Sequence, residues 1–112
     1  MTVTAKCFVE ATQLTGTQTT LYTATGLRAI LDKITATNVS ASAATVTVNL
    51  VPSAGSASAT NVIVSAKSLQ AGESYGFPEL VGHVLNQGGF VSVLAGTASA
   101  INLRISGREV TQ

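Results

Sequence analysis

The side chains best able to do chemistry are one histidine, one cysteine and five carboxylates. Acid–base catalysis needs titratable groups that converge on one point. The carboxylates show no paired spacing along the chain; they are Glu10, Asp32, Glu73, Glu79 and Glu109. His83 stands in an apolar segment with no nucleophile or orienting acid nearby in sequence. Cys7 alone can form neither an internal disulfide nor a cysteine zinc site. We therefore expect that the protein is not an enzyme.

Motifs for cofactors, metals and charged partners are missing as well. The chain has no phosphate-cradling glycine pattern, no calcium-loop pattern and no histidine pair, so we expect no cofactor and no metal. Six basic and five acidic residues give a net charge of +1 and are scattered singly, which argues against binding to nucleic acid. No apolar run approaches the roughly 18 residues needed to cross a bilayer, so we expect no membrane partner. The first residues lack the pattern of a secretory signal, and we expect the protein to be made and kept in the cytosol of the cell that produces it.

The aromatic residues are few. The chain has no tryptophan, two tyrosines and three phenylalanines; they are Phe8, Tyr22, Tyr75, Phe77 and Phe90. Tyr75 and Phe77 share strand parity, so they form either a small paired surface patch or part of the core. A glycan-binding module is one alternative function, and it would need an exposed aromatic or polar pocket.

The composition favours assembly. The chain of 112 residues fits one domain, and 46% of its residues are hydrophobic but only 10% are charged. An average soluble domain is about 25% charged. Most of the polarity comes from Thr, Ser, Asn and Gln, and a surface so poor in charge tolerates being covered by another protein. We expect a homo-oligomer, either a dimer or a trimer, because edge strands of a sheet protein are available for pairing.

Period-two alternation in short Val-, Ile- and Thr-rich segments dominates the sequence and predicts strands. The clearest segments are Ala44 to Val51 and Ala100 to Ser106. Others are Val3 to Glu10, Thr17 to Thr23, Arg28 to Asn38, Asn61 to Ala66, Glu73 to Phe77, Leu80 to Leu85 and Phe90 to Leu94. With no long helix to cover a parallel sheet, the pattern predicts an all-β, single-domain antiparallel β-sandwich, jelly-roll-like, with about eight or nine short strands.

Three segments leave alternatives open. Alternation fails around Ile30, Leu31 and Asp32, which predicts a β-bulge or a short helical turn. Residues 78 to 85 are interpreted as strand, although Pro78 and Glu79 would also suit a helical turn. The small residues of Pro52 to Thr60 indicate a flexible loop or an assembly contact.

Most of the chain from about residue 18 onward resembles a family of small virion proteins of tailed bacteriophages. The resemblance rests on the segments Thr20 to Ala24, Arg28 to Ile34, Thr37 to Val48, Leu50 to Ser53, Leu69 to Tyr75 and Ala98 to Thr111. In that family a Pro-Ala-Gly turn usually follows the Leu-Tyr-Thr opening, whereas this chain has Ala24-Thr25-Gly26. Arg108 also replaces an apolar residue of the closing strand.

The resemblance implies a phage virion structural protein with a β-sandwich or jelly-roll fold. A short, weakly charged chain is similar to capsid decoration or cement proteins, which stabilise the head shell by bridging subunits of the major capsid protein. The expected location is then the capsid surface of the virion. The alternative is a tail, baseplate or fibre-attachment protein of the same fold, with tail proteins as partners.

We divide the chain into an N-terminal arm or first strand, residues 1–16, and a β-sandwich domain, residues 17–112. The arm lies mostly outside the resemblance and is a candidate docking or strand-exchange segment. The candidate contact residues are Phe8, Val9, Leu14, Tyr75 and Phe77.

Overall fold

A computed structural model describes residues 1–111, which form nine strands and no helix. The strands are β1 (Thr2–Gln13), β2 (Thr19–Thr23), β3 (Arg28–Asn38), β4 (Ala44–Val51), β5 (Val62–Leu69), β6 (Ser74–Tyr75), β7 (Val84–Leu85), β8 (Phe90–Ala95) and β9 (Ile101–Thr111). The expectation of an all-β chain with about nine strands is confirmed. No helix among these residues could cross a membrane.

The strands form two antiparallel sheets. Sheet 1 has the order β1-β9-β3-β6, with β7 also paired to β3, and sheet 2 has the order β2-β8-β4-β5. The first strand therefore pairs with the last, β2 with β8, β3 with β6 and β7, and β4 with β5. The second half of the chain thus folds back along the first half. This winding is the jelly-roll arrangement of a β-sandwich.

The core lies between the sheets and follows the alternation of the sequence. In β9, Ile101, Leu103 and Ile105 are at most 1% exposed, while Arg104 between them is exposed. In β4 the same holds for Val46 and Val48. Apolar side chains from one face of each sheet therefore meet in a single core, as a sandwich requires.

The irregularity predicted in β3 is a β-bulge. The pairing of β3 with β9 shifts between Leu31 and Lys33, so that Asp32 and Lys33 are both exposed. Because of the extra residue, the side chains of Leu31 before the bulge and of Ile34 after it both point into the core, and each is at most 1% exposed. The alternation failed in the sequence because the strand itself changes register there.

The strand interpretation of residues 80 to 85 is wrong for most of that segment, since only Val84–Leu85 is strand. Residues 78 to 82 form turns, in which the Leu80 amide donates to the carbonyl of Phe77 at 3.0 Å. Leu80 is nevertheless fully buried. An apolar residue can thus reach the core from a turn, and the hydrophobic pattern did not separate that case from a strand.

Candidate interaction surface

The N-terminal segment is built into the fold as the edge strand of sheet 1, where β1 pairs with β9 along most of its length. Phe8 stacks on Tyr22 with ring centroids 4.2 Å apart, and Val9 is half-buried against the core. Leu14 is only 3% exposed. Leu14 is therefore a core residue of the folded chain, and a contact role for it stays a prediction. A docking role for residues 1–16 stays a prediction.

An aromatic contact closes the sandwich between β1 and β2. The Tyr22 hydroxyl donates to the carboxylate of Glu109 at 2.6 Å, and Lys6 Nζ lies 3.4 Å from the same oxygen. Burial raises the pKa of Tyr22, and the adjacent carboxylate of Glu109 raises it further. Phe8 and Tyr22 thus tie the edges of the two sheets together at this side.

A second aromatic contact closes the opposite side. Tyr75 and Phe77 pack edge to face with ring centroids 4.8 Å apart, and Lys67 Nζ lies 4.7 Å from the centre of the Tyr75 ring. The Tyr75 hydroxyl donates to Glu79, and this hydrogen bond raises the pKa of Tyr75. Phe77 is fully buried, so core packing is the correct one of the two alternatives for it, and a contact role stays a prediction. Tyr75 is half-buried.

The titratable groups form separate surface pairs. Asp32 accepts hydrogen bonds from the Arg108 guanidinium at 2.9 Å, and this contact raises the pKa of the guanidinium. In a second pair, Arg104 Nη1 lies 3.4 Å from Glu10 Oε1. His83 is exposed. Within residues 1–111, no three His, Cys, Asp or Glu side chains are grouped closely enough to hold a metal ion.

The charged side chains are divided very unequally between the sheets. Eight of the eleven lie on strands of sheet 1, and Lys67 is the single one on a strand of sheet 2. The Lys67 ammonium is turned to the edge of the sandwich, against the ring of Tyr75. The outer face of sheet 2, as described by residues 1–111, therefore carries no charge.

Hydroxyl groups and a few apolar side chains make up this outer face. Strand pairing places Thr47 opposite Leu94 and Asn49 opposite Ser92, with Val48 and Val93 between them in the core. The outward residues on β4, β8 and β2 are Thr45, Thr47, Asn49, Val51, Phe90, Ser92, Leu94 and Thr20. Depletion of charge is the compositional mark of the centre of a protein interface.

A folded ridge, residues 52–61, covers one part of this face. Asn49 Nδ2 donates to the carbonyl of Ser58 at 3.0 Å and to Asn61 Oδ1 at 2.7 Å. Asn61 Nδ2 in turn donates to the carbonyl of Ser56 at 2.9 Å. Asn49 points outward from β4, but the ridge leaves it only 4% exposed. The segment is thus held by hydrogen bonds rather than loose.

Sequence reasoning missed both asparagines. The sequence did hold a sign of their role, since one asparagine stands shortly before the segment of small residues, Pro52 to Thr60, and the other directly after it. Asparagine commonly bonds to the backbone of turns. Twelve residues separate the two side chains in the chain, so only the fold reveals that they bond to each other.

A pocket of about 270 Å³ opens beside the ridge on the outer face of sheet 2. Its lining is uncharged and consists of Gln18, Thr47, Asn49, Ala57, Ser58, Ala59, Val62 and Ser65. A groove of about 410 Å³ on the outer face of sheet 1 contains the charged Arg104 instead. The outer faces of the two sheets therefore differ in overall charge, and the pockets on them differ in whether a charged residue lines them.

No protein-family model and no curated protein matches the chain. Among solved structures, it is similar to a chain of the "Structure of infectious bursal disease virus Gx strain", with 14% sequence identity and a TM-score of 0.45. The match covers 96% of this chain and 30% of that chain.

Proposed function

We propose that the protein is a structural component of a phage virion, a decoration or cement protein that binds the head shell through the outer face of sheet 2. The proposal rests on one observation, the absence of charge from that face in a molecule whose other sheet carries most of its charged residues. The sequence resemblance to small virion proteins of tailed bacteriophages supplies the class of partner, the major capsid protein.

Desolvation energetics favour burial of sheet 2 over sheet 1. A buried hydroxyl that finds a new hydrogen-bond partner costs little, whereas an ionised group without a partner costs several kcal/mol. Thr45, Thr47 and Thr20 can exchange water for polar groups of a partner. Covering sheet 1 would desolvate Arg28, Lys33 and the ion pair of Arg108.

The size of the face fits a contact that works through many copies. Four strands about 4.8 Å apart and up to eight residues long give a face of roughly 19 by 27 Å, or about 500 Å² before side-chain relief. A standard interface buries about 800 Å² on each partner. One copy would therefore bind modestly, and a homo-oligomer bridging neighbouring capsid subunits would gain by avidity.

This orientation also leaves a suitable surface in contact with solvent. The outer face of sheet 1 carries basic and acidic residues together, which keeps a virion surface hydrated and discourages aggregation. The protein would thus lie on the capsid surface with sheet 2 inward.

The test is co-sedimentation of the purified protein with expanded shells that lack it, followed by heating of the shells with and without it. We expect saturable binding at hundreds of copies per shell and a higher temperature of shell disruption. Absence of binding would refute the shell location and direct the search to isolated tails. Binding to a glycan array would instead favour a host-attachment module.

Two matched variants test which face binds. Leu94 and Ile30 are both half-buried aliphatic residues that point outward from central strands, Leu94 in sheet 2 and Ile30 in sheet 1. Leu94→Arg buries an unpaired charge in the proposed contact and should weaken shell binding at least about 100-fold, since such a charge costs about 3 kcal/mol or more. Ile30→Arg should bind within about threefold of the wild type. The opposite order would refute the use of sheet 2.

A further inference from the structure

We propose that the pocket beside the ridge is the anchor point of the contact and that it receives a carboxamide side chain, Asn or Gln, from a loop of the partner protein. The identity of the partner rests on the function proposed above. The existence and chemical preference of the pocket do not, because they can be measured on the isolated chain.

The pocket is built from firm walls. Ala57, Ser58 and Ala59 of the ridge form one side and are held in place by the bonds of Asn49 and Asn61. The central strand β4 contributes Thr47 and Asn49, and the edge strand β5 contributes Val62 and Ser65. Gln18, whose Nε2 donates to the Ser92 hydroxyl at 2.8 Å, completes the lining. A preformed depression holds a partner side chain without a further cost of ordering the site. Anchors of this kind commonly dominate the energy of an interface.

The hydrogen-bonding groups of the pocket match a carboxamide. Both amide hydrogens of Asn49 are donated to the ridge, which leaves Oδ1 as an acceptor. The Thr47 hydroxyl accepts the amide of Ala66 at 2.9 Å, and its own hydrogen remains available as a donor. A primary amide presents a donor and an acceptor side by side, so one group can satisfy both residues.

The same lining disfavours other occupants. No charged residue contributes to the pocket, so a carboxylate or an ammonium would lose hydration without gaining a counter-charge. No aromatic ring lines it either, and a sugar would lack the flat apolar platform that usually carries part of its binding. A purely aliphatic side chain would leave the acceptor of Asn49 without a partner.

The direct test is an NMR titration of the isotope-labelled full chain with propanamide, the small-molecule equivalent of a glutamine side chain. Propionate, which has the same shape and a negative charge, is the matched probe, and methyl glucoside represents sugars. We expect saturable shifts of the Asn49 side-chain amide and of the Ser58 and Ser65 backbone amides with propanamide. Absence of saturable shifts, or equal shifts with propionate, would overturn the proposal. A stronger response to methyl glucoside would overturn it in favour of a glycan site.

Two serines of β5 provide matched variants. Ser65 and Ser68 are both exposed, but only Ser65 lines the pocket. Ser65→Gln places a tethered carboxamide at the pocket and should weaken propanamide binding at least about tenfold by competition. Ser68→Gln should leave it within about twofold. Equal responses of the two variants would refute the assigned location.

The same variants separate this inference from the proposed function when shells are used. If wild-type protein binds shells, Ser65→Gln should weaken binding about tenfold or more, as expected for loss of an anchor, and Ser68→Gln should not. Equal shell binding by both variants would overturn the pocket as an anchor while the shell location stands. Failure of the wild type to bind shells would refute the proposed function, and the propanamide titration would still decide the preference of the pocket.

Discussion

Removal of the Asn49 side chain should loosen the ridge on sheet 2 by a predictable amount. Asn49→Ala deletes two hydrogen bonds from a residue that is 4% exposed, at 3.0 Å to Ser58 and 2.7 Å to Asn61. Each neutral bond contributes about 1 kcal/mol net, so we expect a loss of about 2 kcal/mol. For 112 residues the unfolding entropy is about 0.24 kcal/mol/K, and the melting temperature should therefore fall by about 8 °C.

Thermal unfolding followed by circular dichroism measures this loss, and hydrogen exchange of the ridge amides locates it. Asn49→Asp should cost at least as much, because its carboxylate cannot donate and faces the carbonyl of Ser58. Thr20→Ala, on the exposed part of the same face, is the control and should shift the melting temperature by less than about 2 °C. A shift for Asn49→Ala as small as that of the control, with unchanged exchange at Ser58 and Asn61, would refute the view that these bonds hold the ridge.

Three further predictions concern side chains that lie on sheet 1 or pack against it. Gly107→Ala would place a methyl group against the backbone carbonyl oxygen of Ile30 and 2.7 Å from the Phe8 ring, so urea unfolding should record a loss of about 2 kcal/mol or more in the free energy of unfolding. A loss below about 0.5 kcal/mol would contradict this close packing. The pKa of Tyr22 is raised by burial and by Glu109, so the folded chain keeps the phenol proton that the unfolded chain loses near pH 10; stability should fall as pH rises above about 10. Tyr22→Phe should lack that alkaline loss, and parallel pH profiles of the two proteins would contradict it. The Arg108 and Asp32 side chains are nearly half exposed, so Asp32→Asn should change the free energy of unfolding by less than about 1 kcal/mol, and a larger change would show that the pair is more than a surface contact.

The fold was predictable from the sequence where one side of a strand is apolar and the other polar. The predicted bounds of β3 and β4 agree with the structure, and the failure of alternation near Asp32 correctly located an irregularity, for which a bulge was one of the two predicted forms. The prediction failed at Leu80, because a turn can direct one apolar side chain into the core without strand pairing. Phe77 was also difficult, since its φ of 47° is rare for a bulky residue and no local pattern signals it.

The candidate surface was less predictable because it depends on strand order. Low charge is visible in the composition, but the concentration of the charged residues on sheet 1 becomes apparent only after distant segments pair. Phe8 was a contact candidate because it lies in the N-terminal arm, and Phe77 because it shares strand parity with Tyr75. Neither pattern shows that these two rings pack at the two edges of the sandwich, which only the fold reveals. The pocket could not be predicted for a similar reason. Thr47 lies on β4 and Ala57 lies in the ridge, and they line one pocket only because the ridge folds over sheet 2.

Cryo-electron microscopy of the parent virion tests the central claim most directly. We expect density for this chain on the outside of the head shell, with the uncharged face of sheet 2 against the major capsid protein and sheet 1 toward solvent. Density confined to the tail, or a shell-bound chain with sheet 1 facing inward, would contradict it.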